Sequence, residues 1–376
     1  MRIGYDAKRA FHNFRGLGNY SRTLLESLFK YYPDEDYYLY TPTYSDPRST
    51  EWAKRNDRAT IITPKTGKNK IMGTAWRSLF LTPQLEKNQL DIYHGLSHEL
   101  PPGIGKSKIK SVVTIHDLIF MRYPEYFPKV DRWVYKKKFS SSIEMADRVV
   151  AICEQTKTDL IELLNCPEEK IHVVHQSCNP DFYGPKSEEE KEALKKKFDL
   201  PEFFILYVGA LEERKNALSL VKAFSRIKDH IPHNLILVGR GKEYKKELEK
   251  EIVHQGLQLR VKILSNVEND DLPTMYQAAD LFVFPSFFEG WGVPIVEALF
   301  SETPVITSKG SCFPESAGRY SQFIDPHSIE DIAEKIEKVL FDESLQKEMT
   351  SQGRIHAEKF HWKNTSENLM SLYQSL

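Results

Sequence analysis

The sequence predicts an α/β protein built from two doubly wound parallel sheets. Short apolar runs of strand length alternate with amphipathic stretches of helical period along almost the whole chain. The alternation breaks once, at a polar segment near residue 180, and then begins again. A chain of 376 residues also exceeds what one core of ordinary size organises, so the stretches 1–180 and 181–360 read as two domains.

In the first stretch, strands are expected at residues 2–7, 37–40, 60–63, 91–94, 111–115, 148–152 and 171–174, where β-branched and aromatic residues gather between turn formers. Amphipathic helices fall at 19–31, 75–87, 132–145 and 154–164. Strand, helix and strand in succession close into a parallel sheet through right-handed crossovers. Residues 179–199 hold Pro180, Gly184, Pro185 and the charge run 188–191, and the start of this segment reads as a hinge. The second stretch repeats the pattern with strands at 203–208, 235–238, 261–264, 281–284 and 304–307, and helices at 329–340, 345–360 and 364–373 end the chain. Open sheets of this kind bind ligands beyond the carboxyl ends of their strands, here in a cleft between the domains.

Composition narrows the class. Hydrophobic residues make up 40% and charged residues 28%, a globular balance, and no apolar run approaches the ~20 residues that span a bilayer. Cys153, Cys166, Cys178 and Cys312 form no C-x-x-C pair and follow no signal peptide, so a reducing cytoplasm is expected. Residues 1–182 carry 27 Lys and Arg against 22 Asp and Glu, whereas the whole chain has a net charge of −1, so the first half is the basic one. Lys106, Lys108, Lys110 and the run 136–138 fit a solvated face, peripheral contact with an anionic membrane, or an anionic acceptor. Nucleic acid is not expected, since no basic stripe carries interleaved stacking aromatics. Nor is a metal. His94 and His98 have helical spacing, but Gly95, Pro101 and Pro102 make the segment a loop, and Asp34-Glu-Asp36 reads as solvated charge.

The stretch 284–299, FPSFFEGWGVPIVEAL, has the features of a ligand site at a strand-to-helix junction. Gly290 and Gly292 admit a close backbone approach, and the following helix turns a positive dipole end towards the loop. Glu289 lies on the loop and Glu297 in the helix, so they are expected to do different jobs. The same residues also fit an ordinary crossover. Gly16-Leu17-Gly18 offers backbone donors before the first long helix, and Arg214-Lys215 follows the strand ending at Val208-Gly209. Two cations there fit a diphosphate, the forked Arg and the point-charge Lys, or else a plain helix-start surface. His116, beyond the strand 111–115, fits a substrate hydroxyl or a structural hydrogen bond. None of the three Gly-x-Gly pairs extends to Gly-x-Gly-x-x-Gly and no P-loop occurs, which excludes those two nucleotide fingerprints.

Taken together, Arg15-Gly-Leu-Gly-Asn-Tyr20, Thr114-Ile-His-Asp117, Tyr207-Val-Gly-Ala-Leu-Glu-Glu-Arg-Lys-Asn216, Val238-Gly-Arg-Gly241, the Glu-x7-Glu from Glu289 to Glu297 and Phe313-Pro-Glu315 resemble the retaining glycosyltransferases of family 4, which have the two-Rossmann GT-B fold. The opening Arg2-Ile-Gly-Tyr-Asp-Ala7 with Gly-Leu-Gly-Asn-Tyr20 is most similar to bacterial mannosyltransferase-type members. Arg15 replaces the Thr or Ser common there, and Gly318-Arg-Tyr-Ser-Gln322 replaces a Gly-Asp-Ala-Ala run. The resemblance implies a nucleotide-sugar donor, GDP-mannose first and UDP-sugars next, and a glycan or lipid-linked glycan acceptor in surface polysaccharide synthesis. It also implies that the C-terminal helix, about 361–376, packs back on the first domain. Arg214 and Lys215 would hold the diphosphate and Glu297 the ribose. Glu289, Gly290, Trp291, Gly292 and Val293 would meet the sugar, Val267 the base, and His116 the sugar hydroxyls. Gly209 and Val296 would line the donor site with Gly16, Leu17 and Gly18. No cofactor or metal is implied, because cations and helix ends stabilise the leaving diphosphate.

Retention is expected through same-face attack, with the leaving phosphate taking the acceptor's proton. Residues 72–80 and 120–127 are candidates for touching a lipid-linked glycan, or for core packing. A sugar-nucleotide epimerase or a phosphorylase on the same fold is the alternative enzyme, and a two-domain binder without chemistry the alternative class.

Overall fold

The computed structural model describes residues 1–64 and 76–376; of the expected glycan-contact segment, 72–75 lie outside the described residues, as does the start of the helix expected at 75–87. The chain divides into two compact units. One comprises Met1–Ser177 with His361–Leu376, the other Cys178–Phe360.

The first unit is a seven-stranded parallel sheet, β1 (Arg2–Asp6), β2 (Asp36–Tyr40), β3 (Ala59–Ile62), β4 (Ile92–Gly95), β5 (Lys110–Ile115), β6 (Arg148–Ala151) and β7 (Ile171–Val173), in the order β3-β2-β1-β4-β5-β6-β7. The central strands β1, β4 and β5 are buried along nearly their whole length because helices cover both faces. On one face Ile3, Tyr5, Leu25 and Leu28 form a core, and on the other Leu85, Val113, Ile115 and Phe139. The last helix, Trp362–Gln374, belongs to this unit: Leu369, Met370 and Tyr373 are buried at helical spacing in the first core. Polar contacts fix its position, since Ser27 Oγ donates to the Trp362 carbonyl at 2.7 Å and Tyr373 Oη lies 2.6 Å from His94 Nδ1.

The second unit has six parallel strands, β8 (Phe204–Val208), β9 (Asn234–Val238), β10 (Val261–Leu264), β11 (Leu281–Phe284), β12 (Val305–Ser308) and β13 (Gln322–Ile324), in the order β10-β9-β8-β11-β12-β13. The strand order reverses between β8 and β11 here, and between β1 and β4 in the first unit. At such a reversal the crossover helices diverge to opposite faces and leave a crevice at the strands' carboxyl ends.

The expected strands lie within a residue of the observed ones at each end. The sequence reading missed β13, three residues without alternation, and the helix Pro47–Arg55, whose only buried residues are Ser49 and Trp52. The charge run 188–191 lies in a helix, past the start of the polar segment that reads as a hinge. Ser187 and Glu190 form a capping box, and Glu188, Glu189 and Glu190 occupy the first turn of the helix Glu188–Phe198, where the dipole favours acids. Gly16–Gly18 likewise belongs to a helix, since Gly16–Tyr31 begins there rather than at 19, and a short helix, Lys8–His12, precedes it.

Candidate active site

In the second unit the loops after β8 and β11, the two strands at the reversal, are joined by hydrogen bonds. Asn216 takes the left-handed conformation (φ 57°), which an asparagine tolerates, and its amide donates to the carbonyls of Pro285 at 3.1 Å and Pro326 at 2.8 Å. The Phe287 amide donates to the Arg214 carbonyl at 2.9 Å. These bonds hold Arg214 and Lys215, in the turn just before Asn216, over the loop that carries Glu289. Arg214 Nη1 stands 2.8 Å from Glu289 Oε2, and Lys215 Nζ 2.5 Å from Oε1. All three side chains are nearly enclosed, with 15%, 14% and 9% of their surface exposed. Burial works against the Glu289 carboxylate, but Lys215 and then Arg214 outweigh it and hold the group below the usual carboxylate range. Ser311 Oγ donates to the Glu289 carbonyl at 3.0 Å and fixes the backbone.

Glu297 lies in the helix Val293–Phe300, in different surroundings. Its carboxyl accepts a hydrogen bond from Tyr276 Oη at 3.0 Å, and burial pushes it up to about 8 against the smaller opposing effect of that bond. Near neutral pH the two glutamates are therefore in opposite states: Glu289 ionised, Glu297 mainly protonated. Cations fix the first and burial the second.

The glycines here answer to space. A Cβ on Gly239 would stand 1.9 Å from the Gly209 carbonyl oxygen, so the ends of β8 and β9 meet backbone to backbone. On Gly209 it would meet Tyr207 Oη at 3.0 Å and Lys215 Cδ at 3.3 Å, and on Gly292 the Ile295 and Ser316 side chains within 2.8 Å. The remaining residues singled out in the sequence are more dispersed. Trp291 packs edge-on against Phe360 at 5.0 Å and is 5% exposed, and Val296 is wholly buried. Gly290 is buried and Val293 half-buried beside them. Val267 follows β10, two strands away from β8.

His116 and the helix start Gly16–Gly18 lie in the first unit. His116 is 4% exposed; its Nε2 donates to the Leu96 carbonyl at 2.9 Å, and the Tyr20 ring meets it edge-on at 4.5 Å. Burial lowers it to about 4, so it is neutral at physiological pH and Nδ1 is left as an acceptor. A Cβ on Gly18 would fall 1.6 Å from the Asn13 carbonyl, whereas Gly16 faces open space. His94 has a ring nitrogen on Tyr373 and the other on Thr114 Oγ1 at 2.8 Å, and no cluster of metal-binding side chains occurs among the described residues.

Tyr276 and Ser311 were not found by sequence reasoning. Each acts on a glutamate about twenty positions away on another element, and no local pattern marks that.

Comparison with known proteins gives the class. The profile "Glycosyl transferases group 1" matches residues 188–356, and "Glycosyltransferase Family 4" matches 15–182. O-antigen chain mannosyltransferase B of Escherichia coli is 32% identical over 291 residues, covering 76% of this chain and 74% of that protein. Serotype-specific mannosyltransferase WbdA of Escherichia coli is 29% identical over 281 residues, which cover 73% of this chain and 34% of the longer protein. Among solved structures, a glycosyltransferase from Rickettsia africae superposes with a TM-score of 0.79 at 18% identity, covering 100% of this chain and 98% of the other. Anabaena Alr3699/HepE in complex with UDP and glucose gives 0.76 at 18% identity, over the full length of both. The chain belongs to the family 4, group 1 glycosyltransferases. Its two parallel-sheet units have the GT-B fold of that family.

Proposed function

We propose that the protein transfers mannose from GDP-mannose, with retention of configuration, to a glycan or lipid-linked glycan acceptor in surface polysaccharide synthesis. The named activities of the mannosyltransferase relatives support the sugar, and the Arg214-Lys215-Glu289 knot carries the chemistry. Two half-buried cations past the carboxyl end of β8 suit a diphosphate. In the unliganded protein Glu289 fills the anionic place. An incoming diphosphate carries more charge than one carboxylate, so it takes over Arg214 and Lys215 and leaves Glu289 free to turn to the sugar. The departing GDP is then stabilised by fixed cations, and the protein's own residues meet that demand without a metal. Glu297, mainly protonated, can donate to as well as accept from a ribose hydroxyl. The acceptor attacks on the face the diphosphate leaves while a phosphate oxygen accepts its proton, so the step needs no enzyme nucleophile.

The basic first half supports contact with the membrane that carries a lipid-linked acceptor. No helix among the described residues is long and apolar enough to cross a membrane. The direct test incubates the protein with GDP-mannose and a mannosyl acceptor, with and without EDTA, and reads the anomeric configuration of the product by NMR. An α-linked product in both conditions is expected. A β-linked product, a requirement for metal, or a trapped mannosyl adduct on Glu289 would contradict the proposal.

A further inference from the structure

The helix Lys129–Met145 carries apolar residues on two opposed sides. Phe139, Ser142 and Ile143 are buried and dock it on the first unit, where Phe139 meets Phe120 edge-on at 5.2 Å. Val130 lies about half a turn round from Phe139, with Trp133 and the half-buried Val134 beside it. Val130 is 72% and Trp133 66% exposed, on a side where a surface helix is ordinarily polar. Lys137 Nζ sits 5.4 Å from the centre of the Trp133 ring. Residues 129–138 hold five cations, Lys129, Arg132, Lys136, Lys137 and Lys138, against one acid, Asp131. Lys138 is drawn inward, to Glu99 at 2.9 Å. An outward tryptophan and valine in a field of lysines have the composition of a helix that lies in a lipid interface.

The place is informative as well. Ser111 Oγ donates to the Met145 carbonyl at 3.0 Å, which ties the helix's last residue to the amino end of β5. Val130 and Trp133, at the other end of the helix, therefore lie towards the carboxyl edge of the sheet, where His116 follows β5.

We propose that this outer face of Lys129–Met145 rests on an anionic lipid surface, with Val130 and Trp133 at headgroup depth and Lys129, Lys136 and Lys137 on the lipid phosphates. The proposal locates the membrane contact and rests on that part of the proposed function alone, independent of donor and sugar. The test is flotation of the full chain with vesicles of phosphatidylcholine, and of phosphatidylcholine with about a third phosphatidylglycerol, at low and high salt. Binding to the anionic vesicles at low salt is expected. Lys136→Ala with Lys137→Ala should weaken it about thirty-fold, and Val130→Ser with Trp133→Ser at least about ten-fold, both with unchanged thermal melting and nucleotide binding. If the serine pair fails to fold, the lysine pair decides. Failure of the wild type to float, or equal flotation of a folded variant pair, would overturn the proposal. So would a wild-type dimer that the serine pair dissociates while no vesicles are bound, which would assign the face to a second copy of the chain. None of these outcomes bears on sugar transfer, which is measured separately.

Discussion

Glu297 is half-buried with its carboxyl against Tyr276, and desolvation raises that carboxyl from 4.5 to about 8. Below about pH 4.5 it is protonated in both the folded and the unfolded chain. As pH rises towards 8 the unfolded chain gives up this proton while the folded chain keeps it, so stability falls across that window. Glu297→Gln keeps the shape and removes the titration. It is expected to leave the melting temperature unchanged near pH 4 and to raise it at pH 8–9 by on the order of a few degrees, as read by calorimetry across pH. A parallel shift at all pH values would mean that burial does not set this group. Glu289 behaves with the opposite sign, since its depressed carboxyl loses its contribution as the solution is acidified. Lys215→Ala removes the closer cation and should lower kcat about 10²- to 10³-fold, with Lys215→Arg recovering part of the loss in steady-state assays. The positions of both glutamates, and of Arg214 and Lys215, were visible in the sequence because they stand in quotable motifs. Their opposed charge states were not, because Lys215, the closer cation that faces Glu289, stands 74 positions away in the chain and the burial that raises Glu297 exists only in the fold.

At the scale of elements, the junction after β8 depends on two backbone requirements. Asn216 pays for a left-handed conformation with two hydrogen bonds to carbonyls on other loops. Asn216→Ala loses both bonds and keeps the strain, so a destabilisation of about 2 kcal/mol is expected in urea unfolding, with a rise in KM for the donor as the cations lose their mount. Gly239→Ala should cost about 1–3 kcal/mol, since its Cβ must push the Gly209 backbone away. A neutral Gly239→Ala would show that the strand ends separate freely. The elements themselves were largely legible. Buried parallel strands such as β11, LFVF, are unbroken apolar runs bounded by polar loops. What escaped was short or polar. The helix Pro47–Arg55 is polar and buries only Ser49 and Trp52, and the helix Glu188–Phe198 begins with acids that read equally as a linker until the Ser187 cap is considered.

At the scale of the whole molecule, the chain returns at its end to the unit in which it began. Tyr373, fully enclosed, brings its hydroxyl to His94 in the first core, 279 positions earlier. Tyr373→Ala should cost about 3–5 kcal/mol and lower the unfolding midpoint in denaturant, whereas a loss below about 1 kcal/mol would make the last helix an appendage. The acidic second half carries the Arg214-Lys215-Glu289 knot, and the basic first half carries the helix with the outward tryptophan. In the proposed reaction Arg214 and Lys215 receive a nucleoside diphosphate that displaces Glu289. Calorimetric titration with GDP, UDP and ADP, on the wild type and on Lys215→Ala, tests it most directly. Tight binding of GDP, weaker binding of the other two, and a loss of about a hundred-fold in Lys215→Ala are predicted. No binding of any diphosphate to the wild type, or equal binding to the variant, would contradict it.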